Sequence, residues 1–316
     1  MNRGAAIIPP RVVRGQTVGI VAAAGPVRLD RLRRGLACLG DAFDLRVADS
    51  ITAPRAAGTP SYLAASDRVR ADELTRMLAD PDVRAIVCAR GGYGSMRILD
   101  ELDPALLARD PKPIVGFSDA TALLAWAHRA GVRGIHGPVV TQMPDLDPAD
   151  VALLIEMLTV PRPLGIRPWP LRSHGSGVVR GPLVPANLSL ASLLVGTPWQ
   201  LPLAGAVVLL EDVGERPYEI DRYVTQMALT GALATTAAAV LGELVRCVDP
   251  APPSGEPDAD GAAAAALIDR LAAAGVPAVS GAPVGHGARN EPLPFGARCE
   301  LDLDRATLAL LEPAVA

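Results

Sequence analysis

Aromatic side chains are scarce in this chain: three Phe, four Tyr and three Trp make up 3% of its 316 residues. Half of the residues are hydrophobic and Ala dominates that half, so the core has to be built mainly from Val, Leu, Ile and Ala. Cysteine is rarer still. Cys38, Cys88, Cys247 and Cys299 lie far apart and form no C-x-x-C pair, which removes a zinc knuckle and a redox motif and leaves reduced thiols as the simplest reading. Nowhere do about 18 apolar residues run together, so no membrane-spanning helix is expected. Residues 1–10 carry one positive charge but no apolar stretch of signal-peptide length, which places the protein in the cytoplasm. Nor is either sign of charge in excess. With 30 Lys+Arg against 34 Asp+Glu, a formal charge of −4 and no basic stripe, nucleic acid is not an expected partner. The chain also lacks G-x-x-x-x-G-K-[ST], G-x-G-x-x-G after its first strand and H-E-x-x-H, so neither a nucleotide cofactor nor a metal is expected.

What is present reads as a two-domain α/β enzyme, 316 residues being about right for two domains at roughly 150 residues each. From Val18 to about Val140 short apolar runs alternate with amphipathic segments, the pattern of a parallel sheet covered by helices. Val18-Gly19-Ile20-Val21-Ala22 is the first strand. Residues 67–79 form a helix with Ser66 as N-cap and Asp80-Pro81 as stop, on which Arg70 snorkels to water. Residues 83–89 are a strand that empties into Arg90-Gly91-Gly92-Tyr93-Gly94-Ser95, and the strand ending at Phe117 leads into a helix over 121–130. Asp147-Pro148 starts another helix, as N-cap and first helical residue, and Pro161 ends it. Residues 161–180, with four prolines and three glycines, read as a linker between an N-terminal domain, 1–160, and a smaller C-terminal α/β domain, 181–316. In the latter, strands are expected at 177–184, 205–211 and 237–245, and helices at 187–195, 218–233 and 261–274. Residues 249–260 are expected to form a surface loop, and no solenoid repeat is present.

Three strands end in residues that folding alone does not require. One runs into Ser118, one closes on Glu211 and one leads to Gly285-His286-Gly287; in open α/β sheets, sites form beyond the carboxyl ends of strands. Ser118 sits at a sharp strand-to-helix turn, although Ala120 stands where G-x-S-x-G has its last Gly, and a plain N-cap serine remains the alternative. Of the four histidines, His128 lies within a helix, His174 in the linker and His136 at a strand end. His286, with no bulky neighbour, can serve as general base, and a surface His is its alternative. Glu211 can orient that imidazole or simply pair with Arg216, and Glu215 competes with it from the following loop. The glycines of Gly91-Gly92-Tyr93-Gly94 permit a backbone amide to approach a substrate oxygen.

Taken together, Arg90-Gly91-Gly92-Tyr93-Gly94-Ser95, Gly116-Phe117-Ser118-Asp119-Ala120-Thr121, His136-Gly137-Pro138, Asn187-Leu188-Ser189-Leu190, Gly196-Thr197-Pro198-Trp199, Leu210-Glu211-Asp212-Val213-Gly214-Glu215, Tyr218-Glu219-Ile220-Asp221-Arg222 and Gly285-His286-Gly287 resemble, in order, the LD-carboxypeptidase family of serine peptidases, which also contains the microcin C immunity peptidases. The resemblance implies a flavodoxin-like N-terminal domain, a parallel sheet with helices on both faces, carrying the nucleophile Ser118. It implies a C-terminal domain with the acid Glu211 and the base His286, and oxyanion donors from the amides of Asp119 and the Gly91-Gly92 loop beside Tyr93. It further implies a homodimer without metal or organic cofactor that removes terminal D-Ala from murein tetrapeptides in cell-wall recycling. A peptidase acting on peptidyl or aminoacyl nucleotides, with Trp169 as a stacking candidate, and a catalytically dead binding protein are the competing readings. One departure concerns specificity: Pro185-Ala186 replaces the family's usual Gly-Gly and is expected to stiffen a turn.

Overall fold

Short Val-, Ile- and Ala-rich runs that are buried against helices become parallel strands. In the computed structural model, which describes residues 6–251 and 261–316, β1 (Thr17–Val21), β2 (Asp44–Val47), β3 (Val83–Cys88), β4 (Ile114–Gly116) and β5 (Ile135–His136) stand in the spatial order β2-β1-β3-β4-β5. That is the flavodoxin-like order, with its switch point between β1 and β3. The crossover helices are α1 (Leu29–Gly40), the single turn α2 (Asp49–Thr52), α3 (Asp67–Ala79), α4 (Pro104–Arg109) and α5 (Thr121–Arg129), followed by α6 (Pro148–Thr159). Right-handed crossovers put α1 on one face of the sheet and α3, α4 and α5 on the other, where they touch one another. The caps explain the helix starts: the Ser66 side chain accepts from Val69 N, and Asp147 accepts from Ala149 N with Pro148 in the first turn.

This first unit comprises Met1–Pro163 with Glu291–Gly296 and Pro313–Ala316; the second is Leu164–Asn290 with Ala297–Glu312. In the second, β6 (Gly165–Ile166) and β7 (Arg172–His174) precede β8 (Val178–Asn187), α7 (Leu188–Leu193), β9 (Val207–Val213), α8 (Pro217–Leu229), β10 (Ala238–Val245), α9 (Ala262–Ala273) and β11 (Ala278–Ser280). The chain then adds β12 (Leu293–Pro294) to the first sheet, antiparallel to β5, and returns to the second as β13 (Arg298–Asp302) and β14 (Thr307–Leu310). The second sheet has the order β6-β14-β13-β8-β9-β10-β11-β7, parallel from β8 to β11 and antiparallel at its flanks. Among the described residues no helix is long and apolar enough to cross a membrane.

Several expectations are corrected. Residues 161–180 are not merely a linker: β6 and β7 lie in them, one at each edge of the second sheet, where prolines between short strands break no ladder. The C-terminal domain is not one continuous segment, because 291–296 and 313–316 pack in the first unit. Arg70 does not snorkel; it is 1% exposed. Pro185-Ala186 is not in a turn but in β8, opposite Leu209-Leu210 of β9. Leu183 donates toward the β13 side, to Ala297 O, and the nitrogen of Pro185 faces the same side beyond the last residue paired with β13, so the missing N–H costs no ladder bond. Beyond residue 251, the expected loop 249–260 lies outside the described residues.

Close packing near the β3 end yields a stability prediction. A Cβ added at Gly35 of α1 would lie 1.9 Å from Val140 O, while one at Gly40 meets nothing within 4 Å. Val140 N in turn donates to Cys88 O and Thr141 N to Ala89 O, at the base of the Gly91 loop. Gly35→Ala is therefore expected to destabilise by about 3 kcal/mol, and Gly40→Ala to be neutral or mildly stabilising. Urea midpoints of the two variants check this; equal midpoints would contradict it.

Candidate active site

At the end of β4 the backbone turns abruptly. Phe117 is extended, Ser118 takes φ +59°, and a single 3-10 turn over Ser118–Ala120 leads into α5. A left-handed serine stores strain of about 1–3 kcal/mol, the signature of a nucleophile elbow. From Lys112 to Ala120, Ser118 alone is not buried. The turn folds its flanks together: a Cβ on Gly116 would lie 2.6 Å from Ala120 Cβ and 3.1 Å from Cys88 Sγ. The elbow thus needs glycine on its strand side and accepts Ala120 on its helix side, which accounts for the departure from G-x-S-x-G. Cys88 beneath it offers no thiolate, since burial, with Asp119 nearby, pushes its thiol up to about 12.

The loop after β3 lies against this serine. A Cβ on Gly91 would sit 3.0 Å from Ser118 Cβ, 3.1 Å from Ser118 Oγ and 3.6 Å from Asp119 N, so only glycine lets the backbone this close. Gly91 O also accepts from Gly25 N, which joins the loops after β1 and β3 at the switch point. Tyr93 is half exposed, its ring 5.8 Å from that of Tyr62. Asp119 is buried; its carboxylate accepts from Ser95 N at 2.7 Å, and burial raises its pKa against that bond. Arg97 is held by Asp67 at 2.6 Å, so its guanidinium is already paired. His136 ends β5, fully buried and edge-on to Phe117, whereas His128 packs against Phe295.

In the second unit Glu211 and His286 come together. Glu211 lies within β9 rather than at its end, opposite Asn187 of β8, and is fully buried. Its Oε2 is 2.6 Å from His286 Nδ1, a charge-assisted hydrogen bond. Gly285, at φ +148°, delivers the imidazole: a Cβ there would crowd Glu211 Oε2 and Glu243 Cβ at 3.3 and 3.2 Å. With Nδ1–H donated to Glu211, the lone pair of His286 is on Nε2. Burial pulls the pKa of His286 down, but the charge and hydrogen bond of Glu211 and the charge of Asp212 outweigh it, against Arg246, and the net shift is upward from 6.5.

Alternation along β9 turns Asp212 to the other face. There it accepts from Asn187 Nδ2 at 2.9 Å and from Ser189 N at 2.8 Å, fastening the start of α7, which Asn187 caps. The alternatives for Glu211 are otherwise engaged, since Glu215 accepts from the Tyr223 hydroxyl at 2.9 Å and Arg216 pairs with Glu219 at 2.9 Å. His174 meets Ser280 at 2.8 Å across the β7–β11 pair. Trp169 is buried and offers no open ring face. One residue escaped the sequence reading: Arg246, exposed and left-handed at φ +53°, follows the end of β10 and is felt electrostatically by His286. The rule that singled out Glu211 and His286, strand ends of a parallel sheet, applies to it equally. Among the described residues no group of three or more His, Cys, Asp and Glu is placed to hold a metal ion.

The first unit thus holds a left-handed serine against a glycine loop, and the second a buried acid–imidazole pair. Residues 18–137 match the LD-carboxypeptidase N-terminal domain and residues 180–301 the LD-carboxypeptidase C-terminal domain. A putative carboxypeptidase of Streptomyces coelicolor is 38% identical, the match covering 97% of each chain. The murein tetrapeptide carboxypeptidase of Pseudomonas aeruginosa is 34% identical over 77% of this chain and 80% of its own. Among solved structures, a muramoyltetrapeptide carboxypeptidase from Oxalobacter formigenes superposes with a TM-score of 0.77 at 26% identity, covering 93% and 97% of the two chains. The microcin C7 self-immunity protein MccF in its wild-type apo state does so at 0.84, covering 98% and 100%; at 22% identity this likeness shows the fold. The chain is a peptidase and belongs to the LD-carboxypeptidase family.

Proposed function

We propose that the chain is a serine carboxypeptidase that releases terminal D-Ala from L,D-linked murein tetrapeptides. The observation that carries this reading is the 2.6 Å bond between a fully buried Glu211 and the otherwise mobile-proton group His286. In it, Ser118 Oγ attacks the scissile carbonyl and His286 Nε2 takes the serine proton. Glu211 stabilises the imidazolium, and the amides of Asp119 and of the Gly91-Gly92 loop receive the oxyanion. His286 then protonates the leaving amine of D-Ala and next activates the water that frees the acyl-serine. Tyr93 lines the substrate. Cytoplasmic work in cell-wall recycling and a homodimeric state belong to the same reading.

An exopeptidase has to recognise a free carboxylate. Arg97, already paired with Asp67, is poorly suited, and Arg246, exposed near His286, takes that role here. Murein peptide is preferred to a peptidyl nucleotide because Trp169, the stacking candidate, is buried. The test is mass spectrometry of murein tetrapeptide, its C-terminal amide, an all-L control and a peptidyl-adenylate analogue incubated with enzyme. D-Ala release from the acid is expected, with the amide cut poorly. Arg246→Ala is expected to raise KM for the acid roughly 10–100-fold and leave the amide unaffected. Cleavage of the adenylate analogue alone would move the chain to the immunity-type activity, and equal cleavage of acid and amide would sink the carboxypeptidase reading.

A further inference from the structure

The loop that approaches Ser118 contains Gly91, Gly92 and Gly94, and the last two have φ +103° and +136°. Glycine permits the close approach but leaves the loop soft, since each such residue adds backbone conformations of similar energy. Two buried charged side chains grip one peptide unit in this loop. Arg70 Nη1 donates to Gly94 O at 2.9 Å, and Asp119 Oδ2 accepts from Ser95 N at 2.7 Å. The carbonyl and the N–H belong to the same Gly94–Ser95 peptide. Its dipole is therefore held between a cation and an anion, each 1% exposed.

The rest of Arg70 binds the surroundings of the same loop. Its guanidinium donates to Ala23 O just past β1, to Ala65 O at 3.2 Å and to Asp67, whose other oxygen holds Arg97. Gly94 is shaped to the grip, because a Cβ there would fall 2.9 Å from Arg70 Nη1 and 2.7 Å from Leu63 Cδ2. Burying a guanidinium and a carboxylate costs several kcal/mol each, and a direct ion pair would be the usual compensation. Arg70 makes such a pair with Asp67, not with Asp119. The charges of Arg70 and Asp119 meet through a peptide of the loop, and Asp119 is the residue next to Ser118.

We propose that Arg70 and the side chain of Asp119 are positioning residues: they clamp the Gly94–Ser95 peptide and so set the Gly91–Gly92 backbone against Ser118. The inference rests on the reading of Ser118 as nucleophile with oxyanion donors in this loop. It adds a role for the Asp119 carboxylate distinct from that of its amide. If the clamp slackens, the donors drift from the oxyanion while the residues that bind the rest of the substrate stay in place. Donor misplacement acts on the transition state, so kcat falls and KM does not.

The test uses the full chain with Arg70→Lys, Asp119→Asn and the double variant, all of which keep side-chain volume and so favour folding. A fluorophosphonate counts competent Ser118 in each preparation, and kcat and KM are measured per titrated site. Each single variant is expected to lose roughly 10–100-fold in kcat with KM within about threefold. The double variant is expected to lose no more than the worse single one, since both act on one peptide. A purely structural role would instead lower the melting temperature and the count of titratable sites and leave kcat per site intact. That outcome, or fully multiplicative losses in the double variant, overturns the clamp. Wild-type enzyme that hydrolyses tetrapeptide without labelling at Ser118 would bring down the nucleophile assignment itself, which is a different failure.

Discussion

Ser118→Ala is expected to abolish hydrolysis, with kcat lower by a factor on the order of 10^6 and the fold unchanged. Removing Oγ removes the attacking atom, and the remaining oxyanion donors and binding contacts supply only the residual rate. Ser118 is not placed as a cap, since the N-cap of the 3-10 turn is Phe117 and that of α5 is Ala120. Stability therefore depends on the backbone, which at φ +59° is unfavourable for any residue but glycine. Ser118→Gly is accordingly expected to be equally inactive and more stable than Ser118→Ala, by about 1 kcal/mol. Such a pair of results would show that the strain is kept for the chemistry. Turnover of murein tetrapeptide and urea denaturation of both variants provide the measurement. Near-normal turnover in Ser118→Ala would remove this residue from the mechanism.

Local signals were readable wherever the physics was local. Ser66, Asp147-Pro148 and the stop at Asp80-Pro81 delimit α3 and α6 through backbone groups a few residues away, and the sequence contains both partners. Buried parallel strands such as β3 and β9 show as the apolar runs Ala85-Ile86-Val87-Cys88 and Val207-Val208-Leu209-Leu210 for the same reason. What could not be read depends on residues distant in the chain. Helical spacing puts Arg70 on the apolar face with Leu74, Met77 and Leu78, but nothing around it announces that Ala23 and Gly94 will supply carbonyls for its guanidinium, so its charge suggests snorkelling to water. The edge strands β6 and β7 gain their status from β14 and β11, which come more than a hundred residues later. Pro185 looks like a turn former until β13 is known to end short of it. Of the candidate site, Glu211 and His286 are singled out by their places near strand ends and are 2.6 Å apart, and the same rule applies to Arg246 after β10.

Glu211→Gln is expected to lower kcat by a factor on the order of 10^4, and Glu215→Gln to leave it within a few-fold of wild type. The difference lies in what each carboxylate holds. Glu211 is fully buried with Oε2 on His286 Nδ1 at 2.6 Å, whereas Glu215 is partly buried on the Tyr223 hydroxyl. A glutamine at 211 can still accept from Nδ1, but it cannot balance the imidazolium that forms as Ser118 gives up its proton. The pH profile provides a second readout. The base is active when neutral, so kcat/KM should rise with pH through the pKa of His286, which Glu211 and Asp212 hold above 6.5 despite burial. Without the Glu211 charge, burial and Arg246 pull against the weaker support of Asp212, so the acid limb of the Gln variant should move to lower pH while its plateau falls. A Glu215→Gln enzyme that is the inactive one, or a Glu211→Gln enzyme whose acid limb stays where the wild type has it, would show that the acid has been assigned to the wrong residue of this segment.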